Sequence, residues 1–369
     1  VLVDGRSIYN AAYGTVYWAE QPLAIDDIER IEVVRGPSAA SYGANAFFAV
    51  INIVTKTAAQ TQGAFASLQV GEHGMAGATL RYGGGGERLR WRLTLSSQQR
   101  DRFDNDAIDR LGGVMPAPET LYERTRTGTL AGRADWQLSN TDELSAQFGL
   151  TDGDWNAGRQ LEPIEPRRQD VRASFFQLKF RRAEGSDHEW SVQLYHARHR
   201  IAGQAQAELC VGPVFGPRTC IPELIPPLTP TGILVDGDIA QYSERSNIEF
   251  AANNRLAETL RLAWGVEARH DAVASRRYFN RDDDLSGTLA RAWANVEWRV
   301  APAWLVNAGA MLEHHHYVGN DVSPRVALNY EFAPGHTLRA GVSQAYRTPT
   351  FFEQDGDFGY YSTTGLPLL

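Results

Sequence analysis

Polar and apolar residues alternate singly over most of the chain. Between Leu89 and Ser96, Leu89, Trp91, Leu93 and Leu95 fall on one side, and Arg90, Arg92, Thr94 and Ser96 on the other. Farther on, Leu260, Leu262, Trp264, Val266 and Ala268 oppose Arg261, Ala263, Gly265, Glu267 and Arg269. Trp190, Val192 and Leu194 oppose Ser191, Gln193 and Tyr195. A period of two marks a strand whose faces meet different surroundings. About thirteen such segments can be placed after Thr61, each long enough to cross a bilayer at a tilt near 45°.

The connections alternate as well. Short turns are expected at YGGGGE, SNTDE, EGSDH, VAPAW and FAPGHT. Longer polar, aromatic or Pro-rich loops are expected at 100–121, 153–167, 203–237 and 271–287. This predicts an up-and-down antiparallel meander whose two ends face different environments, the form of an outer-membrane barrel. A soluble barrel or sandwich is the alternative, but the Arg-rich faces are too polar for a packed interior.

The head of the chain breaks the pattern. Ile31, Val33 and Val34 predict a strand, stopped by Arg35-Gly36-Pro37. Ser38 to Tyr42 predicts one helical turn closed by Gly43. A second buried strand follows at Val50–Val54, with Asn52 in its middle. Such a unit is too small to bury its own apolar faces and needs a partner.

Composition narrows the class. The 369 residues carry a net charge of −8, which argues against a nucleic-acid partner. No run approaches the roughly 18 apolar residues of a membrane helix, which leaves a β-barrel open. The first residue is Val1, inside a strand pattern and with no visible leader, so the sequence carries no targeting information.

The stretch Ile28–Lys56, with VLVDG ahead of it, resembles the plug of TonB-dependent outer-membrane receptors. SPRVALNY and TLRAGVSQAYRTPTFFE resemble that family's barrel. The resemblance implies an all-β transmembrane barrel of about 22 antiparallel strands, plugged by a small α/β domain. It divides this chain into the C-terminal part of a plug at 1–58 and the N-terminal part of a barrel at 62–369. The start of the plug, which the energy-coupling protein TonB grips, and the remaining strands are expected to be missing, so the chain reads as a partial barrel. One departure is local: Ala49 stands where the family usually has Gly.

The implied function is TonB-dependent import of a scarce, bulky nutrient across the Gram-negative outer membrane. A ferric siderophore is the leading cargo, with cobalamin next. A binding surface without transport, or a truncated remnant, is the reading from another class. The implied partners are TonB, the ligand and outer-membrane lipid, without a cofactor. Arg35, Gly36, Pro37 and Asn52 are the expected plug–barrel contacts, with Arg35 paired to Glu267 or Glu297. A static salt bridge is the plainer role for that pair. In the plug loop SIYNAAYGTVYWAEQP, Tyr9, Asn10, Tyr13, Tyr17 and Trp18 are the expected ligand contacts; packing against the wall is the plainer role. Cys210 and Cys220, in one outer loop of an oxidising compartment, are expected to form a disulfide, the alternative being two free thiols.

Other chemistry is weak. His314–His316 lacks ligands at zinc spacing, and a polar strand end is expected. DGDWNAG from Asp152 and RDDDLSG from Arg281 are expected to be solvated turns, because the first lacks the calcium-loop glycine and terminal Glu. No G-x-S-x-G, H-E-x-x-H, P-loop or C-x-x-C motif occurs, so no enzyme is expected.

Overall fold

A computed structural model describes residues 1–35, 49–101, 124–157, 167–185, 187–211, 217–219, 232–238 and 240–357. The N-terminal unit is a four-stranded sheet. Its strands are β1 (Leu2–Val3), β2 (Arg6–Ser7), β3 (Ile28–Arg35) and β4 (Ala49–Thr55), in the order β2-β1-β4-β3. Asp4-Gly5 makes the β1–β2 hairpin, with φ of 48° and 84° at the two positions. That positive-φ pair is the chemistry of a two-residue hairpin turn. The Asp4 carboxylate then accepts from the Thr55 amide at 2.9 Å and the Thr55 hydroxyl at 2.6 Å, tying the turn to the end of β4. Val3, Ile8 and Ile53 form a small core beneath Leu23 and Ile28. Ala49 fits the extended strand, opposite Arg35. The expected helical turn at Ser38–Tyr42, with Gly36 and Pro37, lies outside the described residues.

The larger sheet runs in chain order without a crossover. Its strands are β5 (Gly63–Val70), β6 (Ala76–Gly85), β7 (Leu89–Arg100), β8 (Thr125–Gln137), β9 (Asp142–Ala157), β10 (Arg167–Glu184), β11 (His188–Val211), β14 (Gln241–Ala257), β15 (Leu260–Ala274), β16 (Leu285–Ala301), β17 (Trp304–His315), β18 (Gly319–Ala333) and β19 (His336–Ser343). Each is antiparallel to its neighbours, and β12 (Pro217–Thr219) and β13 (Gly232–Asp238) pair with the distal part of β11. Short turns join the strands at one end. At YGGGGE, SNTDE, EGSDH, VAPAW and FAPGHT they fall as expected.

Three of the expected long loops are more ordered than the sequence suggested. Of the stretch 153–167, the part to Ala157 belongs to β9, so Asp152–Ala157, expected as a solvated turn, is paired strand. The stretch 203–237 continues β11 to Val211 and returns through β13, so part of it is a protruding ribbon. The stretch 271–287 extends β15 to Ala274 and adds a short helix, α1 (Arg276–Phe279). Main-chain pairing continues past the point where side-chain alternation lapses.

The wall is inside-out relative to a soluble protein. Side chains turned away from the plug are apolar and open, with Leu95 52 %, Leu150 48 % and Ile248 52 % exposed. Those turned toward it are polar and closed, including Thr94, Arg92, Gln177 and Gln193. Near the short turns the outer face carries a run of aromatic contacts, Phe180–Trp190–Phe250–Trp264, with centroids 5.1–6.0 Å apart. An apolar outer band with an aromatic girdle and a polar lumen is what lipid outside and a filled interior require.

Candidate functional site

The plug loop between β2 and β3 climbs along the wall on the side of the long connections. Asn10 is its hub. Its amide donates to the Ser243 hydroxyl at 3.1 Å, and its side-chain oxygen accepts from Gln241 at 3.3 Å and from the Ala12 amide at 2.9 Å. Its backbone bonds Thr15 and Gly14 close the turn, where Gly14 has φ of 64°. Asn10 is thus a buried strut that fixes the loop to β14.

Aromatic packing covers the loop tip. Tyr13 meets Tyr278 edge-on at 5.2 Å and Phe352 at 5.1 Å. Phe352 belongs to a second short helix, α2 (Phe351–Asp355), whose Phe352 amide donates to the Ala12 carbonyl at 3.0 Å. Burial pushes the Tyr13 phenol well above its ordinary range, with Tyr278 adding to the shift. Tyr17 stacks on His199 at 5.1 Å, and burial raises its phenol too, helped by Glu20. His199 also bonds Glu20, a buried plug carboxylate.

Between this loop, the start of β4 and the wall lies a cavity of about 290 Å³. Arg245, Arg269, Asp271 and His315 supply its wall side; Tyr9, Asn10, Tyr13 and Val50 its plug side; Arg347 to Phe351 its rim. Arg245 and Asp271 face each other across β14 and β15 and form a two-point ion pair at 2.6 and 3.0 Å. Arg245 also donates to Ser7 at 3.1 Å and to the Tyr9 carbonyl at 3.3 Å. The Arg269 Nε lies 3.1 Å from the same Asp271. Two largely buried arginines, Arg245 and Arg269, therefore share one carboxylate, Asp271, while Arg347 at the open rim is held by Glu353 at 2.8 Å, and the single surplus positive charge suits an anionic guest. Arg6, below the cavity, packs its guanidinium 3.7 Å over the Phe175 ring, and burial pulls its pKa down to about 10.

Of the residues expected to meet a ligand, Tyr9, Asn10 and Tyr13 line this cavity. Tyr17 lines a smaller neighbouring recess, and Trp18 lines neither, standing 58 % exposed on a 3₁₀ turn. The wall residues Arg245, Arg269, Asp271 and His315 escaped the sequence reading. Their inward parity was visible; their convergence was not.

The plug–wall contacts differ from those expected. Arg35 is exposed and has no ion pair among the described residues, and the Asn52 amide donates at 3.0 Å to Glu32 within the plug sheet. Glu267 is already held by Arg291 at 2.5 and 2.7 Å and by Asn247, while Glu297 sits exposed near the short turns. Neither carboxylate is paired with Arg35. The wall instead takes hold of Asp27, through Arg81 at 2.6 Å and Thr94 at 2.8 Å. Arg133 adds a bond to Thr55 at 3.2 Å, and Gln177 one to the Asp4 carbonyl at 3.0 Å.

Cys220 lies outside the described residues, so the expected disulfide does too. His315 points inward into the cavity while His314 and His316 point out, and His314 meets Asn320 at 2.8 Å. No cluster of three or more metal-ligating side chains occurs among the described residues. Arg281 clamps Asp283, so that turn is engaged by its own arginine.

Known proteins match this architecture. Residues 1–50 match the TonB-dependent receptor plug domain, and residues 117–368 match the TonB-dependent receptor-like β-barrel. The vitamin B12 transporter BtuB of Vibrio cholerae is 24 % identical over 361 residues, covering 97 % of this chain and 53 % of the relative. The ferric enterobactin receptor of Pseudomonas aeruginosa is 23 % identical over 408 residues, covering 98 % of this chain and 53 % of the relative. A crystal structure of a ferric enterobactin receptor mutant from P. aeruginosa superposes with a TM-score of 0.71 at 19 % identity, over 98 % of this chain and 56 % of that one. The chain spans about half the length of the curated relatives it matches.

Proposed function

The chain belongs to the family of TonB-dependent receptors, outer-membrane β-barrels, and on that premise we propose that it serves the active import of a ferric siderophore. The observation that carries this reading is the cavity in which the largely buried Arg245 and Arg269 outnumber Asp271. Burial amplifies their attraction for an anion, because water no longer screens it. Tyr9 and Tyr13 add ring faces for a flat, aromatic chelate. Residues 1–58 act as the plug and 62–369 as the wall. The guest lodges on the plug's outer side. TonB, pulling on the plug from the other side, then opens a path by breaking its polar contacts with the wall.

Cobalamin is the second reading, and the 24 % identity to a vitamin B12 transporter over almost the whole chain favours it. The two cargoes differ in charge, and one experiment separates them. Cells expressing the protein are given a radiolabelled ferric catecholate or radiolabelled cobalamin, with and without TonB. Iron uptake that needs TonB is the expected result. TonB-dependent uptake of cobalamin alone would replace the cargo and keep the mechanism. Uptake that ignores TonB would end the import reading.

A further inference from the structure

A second concave site lies on the opposite side of the wall. In β10 and β11 the odd positions face the plug: Phe175 carries Arg6, and His199 bonds Glu20. The even positions therefore face outward. Arg172, Arg198 and Arg200 are even, and all three line an outward groove of about 830 Å³. Its bed is Leu95, Leu130 and Leu150, with Gly128 between them. A second recess of about 330 Å³ continues it toward the short turns along the same strands, over Leu93, Gly132 and Phe148. The result is an apolar furrow headed by three arginines.

Its height fits the bilayer. Trp190, in the aromatic girdle, and Arg200 share the outer face of β11, ten positions apart. At about 3.4 Å per residue and a tilt near 45°, they are separated by about 24 Å along the membrane normal. That is about the height of a barrel's apolar band. The arginines thus sit at the boundary between acyl chains and headgroups, on the side of the long connections.

The charges are only partly spent. Asp152 takes the Nε of Arg172 at 2.9 Å, and Glu244 pairs with the Nε of Arg198 at 3.3 Å. A guanidinium has five N–H donors, so each retains capacity for a further oxyanion. Arg200 has no ion pair among the described residues. The furrow's floor is also open by composition. Gly128 has no positive φ, and an added Cβ would meet nothing nearer than 3.9 Å. Neither backbone nor packing requires glycine there, yet a large side chain would fill the groove.

We propose that this furrow holds an acylated, phosphate-bearing lipid of the outer leaflet, its phosphate on Arg172, Arg198 and Arg200 and an acyl chain along Leu95, Leu130 and Leu150. Charge complementarity selects the headgroup, and the apolar bed selects a lipid over a free anion.

The test uses the full chain folded into zwitterionic phospholipid bilayers and then exposed to bisphosphorylated lipid A or its dephosphorylated form. Native mass spectrometry counts what is retained. The expected result is at least tenfold preference for the phosphorylated form. The triple variant Arg172→Ala, Arg198→Ala, Arg200→Ala should lose that preference. Gly128→Trp should lose the lipid with the arginines intact. Arg200→Ala alone, with folding checked by heat-modifiable gel mobility, serves if the triple variant misfolds, and a several-fold loss is expected. Equal retention by wild type and by Gly128→Trp, or equal retention of the two lipid forms, overturns the proposal. So does displacement of the lipid by an equal concentration of inorganic phosphate, which would mark a free-anion site.

Discussion

The carboxylate of Asp27, on a short 3₁₀ turn of the plug, lies 2.6 Å from the guanidinium of Arg81 on β6. Both side chains are closed off from solvent, at 2 % and 8 % exposure. Thr94 binds the other carboxylate oxygen, and Arg92 stands 3.9 Å away while donating to the Lys56 carbonyl at 2.5 Å. One plug carboxylate thus gathers two wall arginines and a hydroxyl near the short turns, at the opposite end from the cavity. Removing it strands two buried cations, and breaking such a pair typically costs about 3–5 kcal/mol. Asp27→Ala is therefore expected to loosen the plug and lower stability by about that amount, with chelate binding at the far end less affected. Urea titration and limited proteolysis within residues 1–58 read both effects. A double-mutant cycle with Arg81→Ala should return a coupling above 1 kcal/mol; additive losses would show that the pair does not hold the plug.

Depth decides the cost of a charge on the outer face. Ile248 sits near the middle of β14, directly opposite Leu194 and Ala268. Leu262, on the same face, lies two positions from the start of β15 at the short turns. Arginine near the bilayer midplane costs about 2–4 kcal/mol, against about 0–1 near the interface. Ile248→Arg should thus be the more damaging of the two in bilayer-folding titrations. The reverse order would mean that the apolar band is placed at the wrong height.

Much of this was readable from alternation, because period two survives whatever the strand pairs with. The short turns were readable for the same reason: they are where alternation stops and small or polar residues enter. The cavity was not. Arg245 opposes Asp271 only because β14 slips by one residue between Arg255 and Ala257. Without that irregularity, counting back from the Ala257–Leu260 turn sets Arg245 against Ala272. A one-residue slip changes every cross-strand partner, and nothing in the letters RLAETLRL announces it. Asp27 was hidden differently: it stands beside Asp26, and only the tertiary fold tells which of the two turns inward. The loop aromatics were legible as a group but not individually, since their spacing does not say that α2 covers Tyr13 while Trp18 stays open.

The α2 helix brings pH dependence to the cavity rim. Glu353 binds Arg347 at 2.8 Å and closes a capping box with Thr350. The Arg347 hydrogen bond first, and then the Thr350 amide, hold its carboxyl down at about 2 from an ordinary 4.5. The folded value lies below the unfolded one. Its contribution is therefore complete above about 4.5 and is lost as pH falls toward about 2. Both side chains are well exposed, so the effect on global stability is small. It should appear locally, as faster amide hydrogen exchange in Phe351–Asp355 across that interval, corrected for intrinsic rates. Glu353→Gln should show the fast exchange already at neutral pH.

Tyr9 and Trp18 offer the sharpest contrast for the ligand site, because both are partly exposed plug aromatics and only one lines the cavity. Tyr9 shares that space with the arginines, and its carbonyl is held by Arg245. Trp18 is the more open ring, at 58 %, and stands outside it. If the cavity receives the ferric chelate, Tyr9→Ala removes a packed ring from the bound state and should cost about 2 kcal/mol, roughly thirtyfold in affinity. Trp18→Ala should change affinity less than about twofold, since an exposed ring outside the contact contributes little. Tyr13→Ala is a different case. It also removes the contacts with Tyr278 and Phe352, so weaker binding should come with faster exchange in α2. Arg245→Ala removes a cation together with the loop's anchor, and should weaken an anionic chelate far more than a neutral analogue of the same shape. Titration of ferric catecholate against the four variants in bilayers measures all of this. A larger loss from Trp18→Ala than from Tyr9→Ala would move the ligand out of the cavity and onto the exposed 3₁₀ turn.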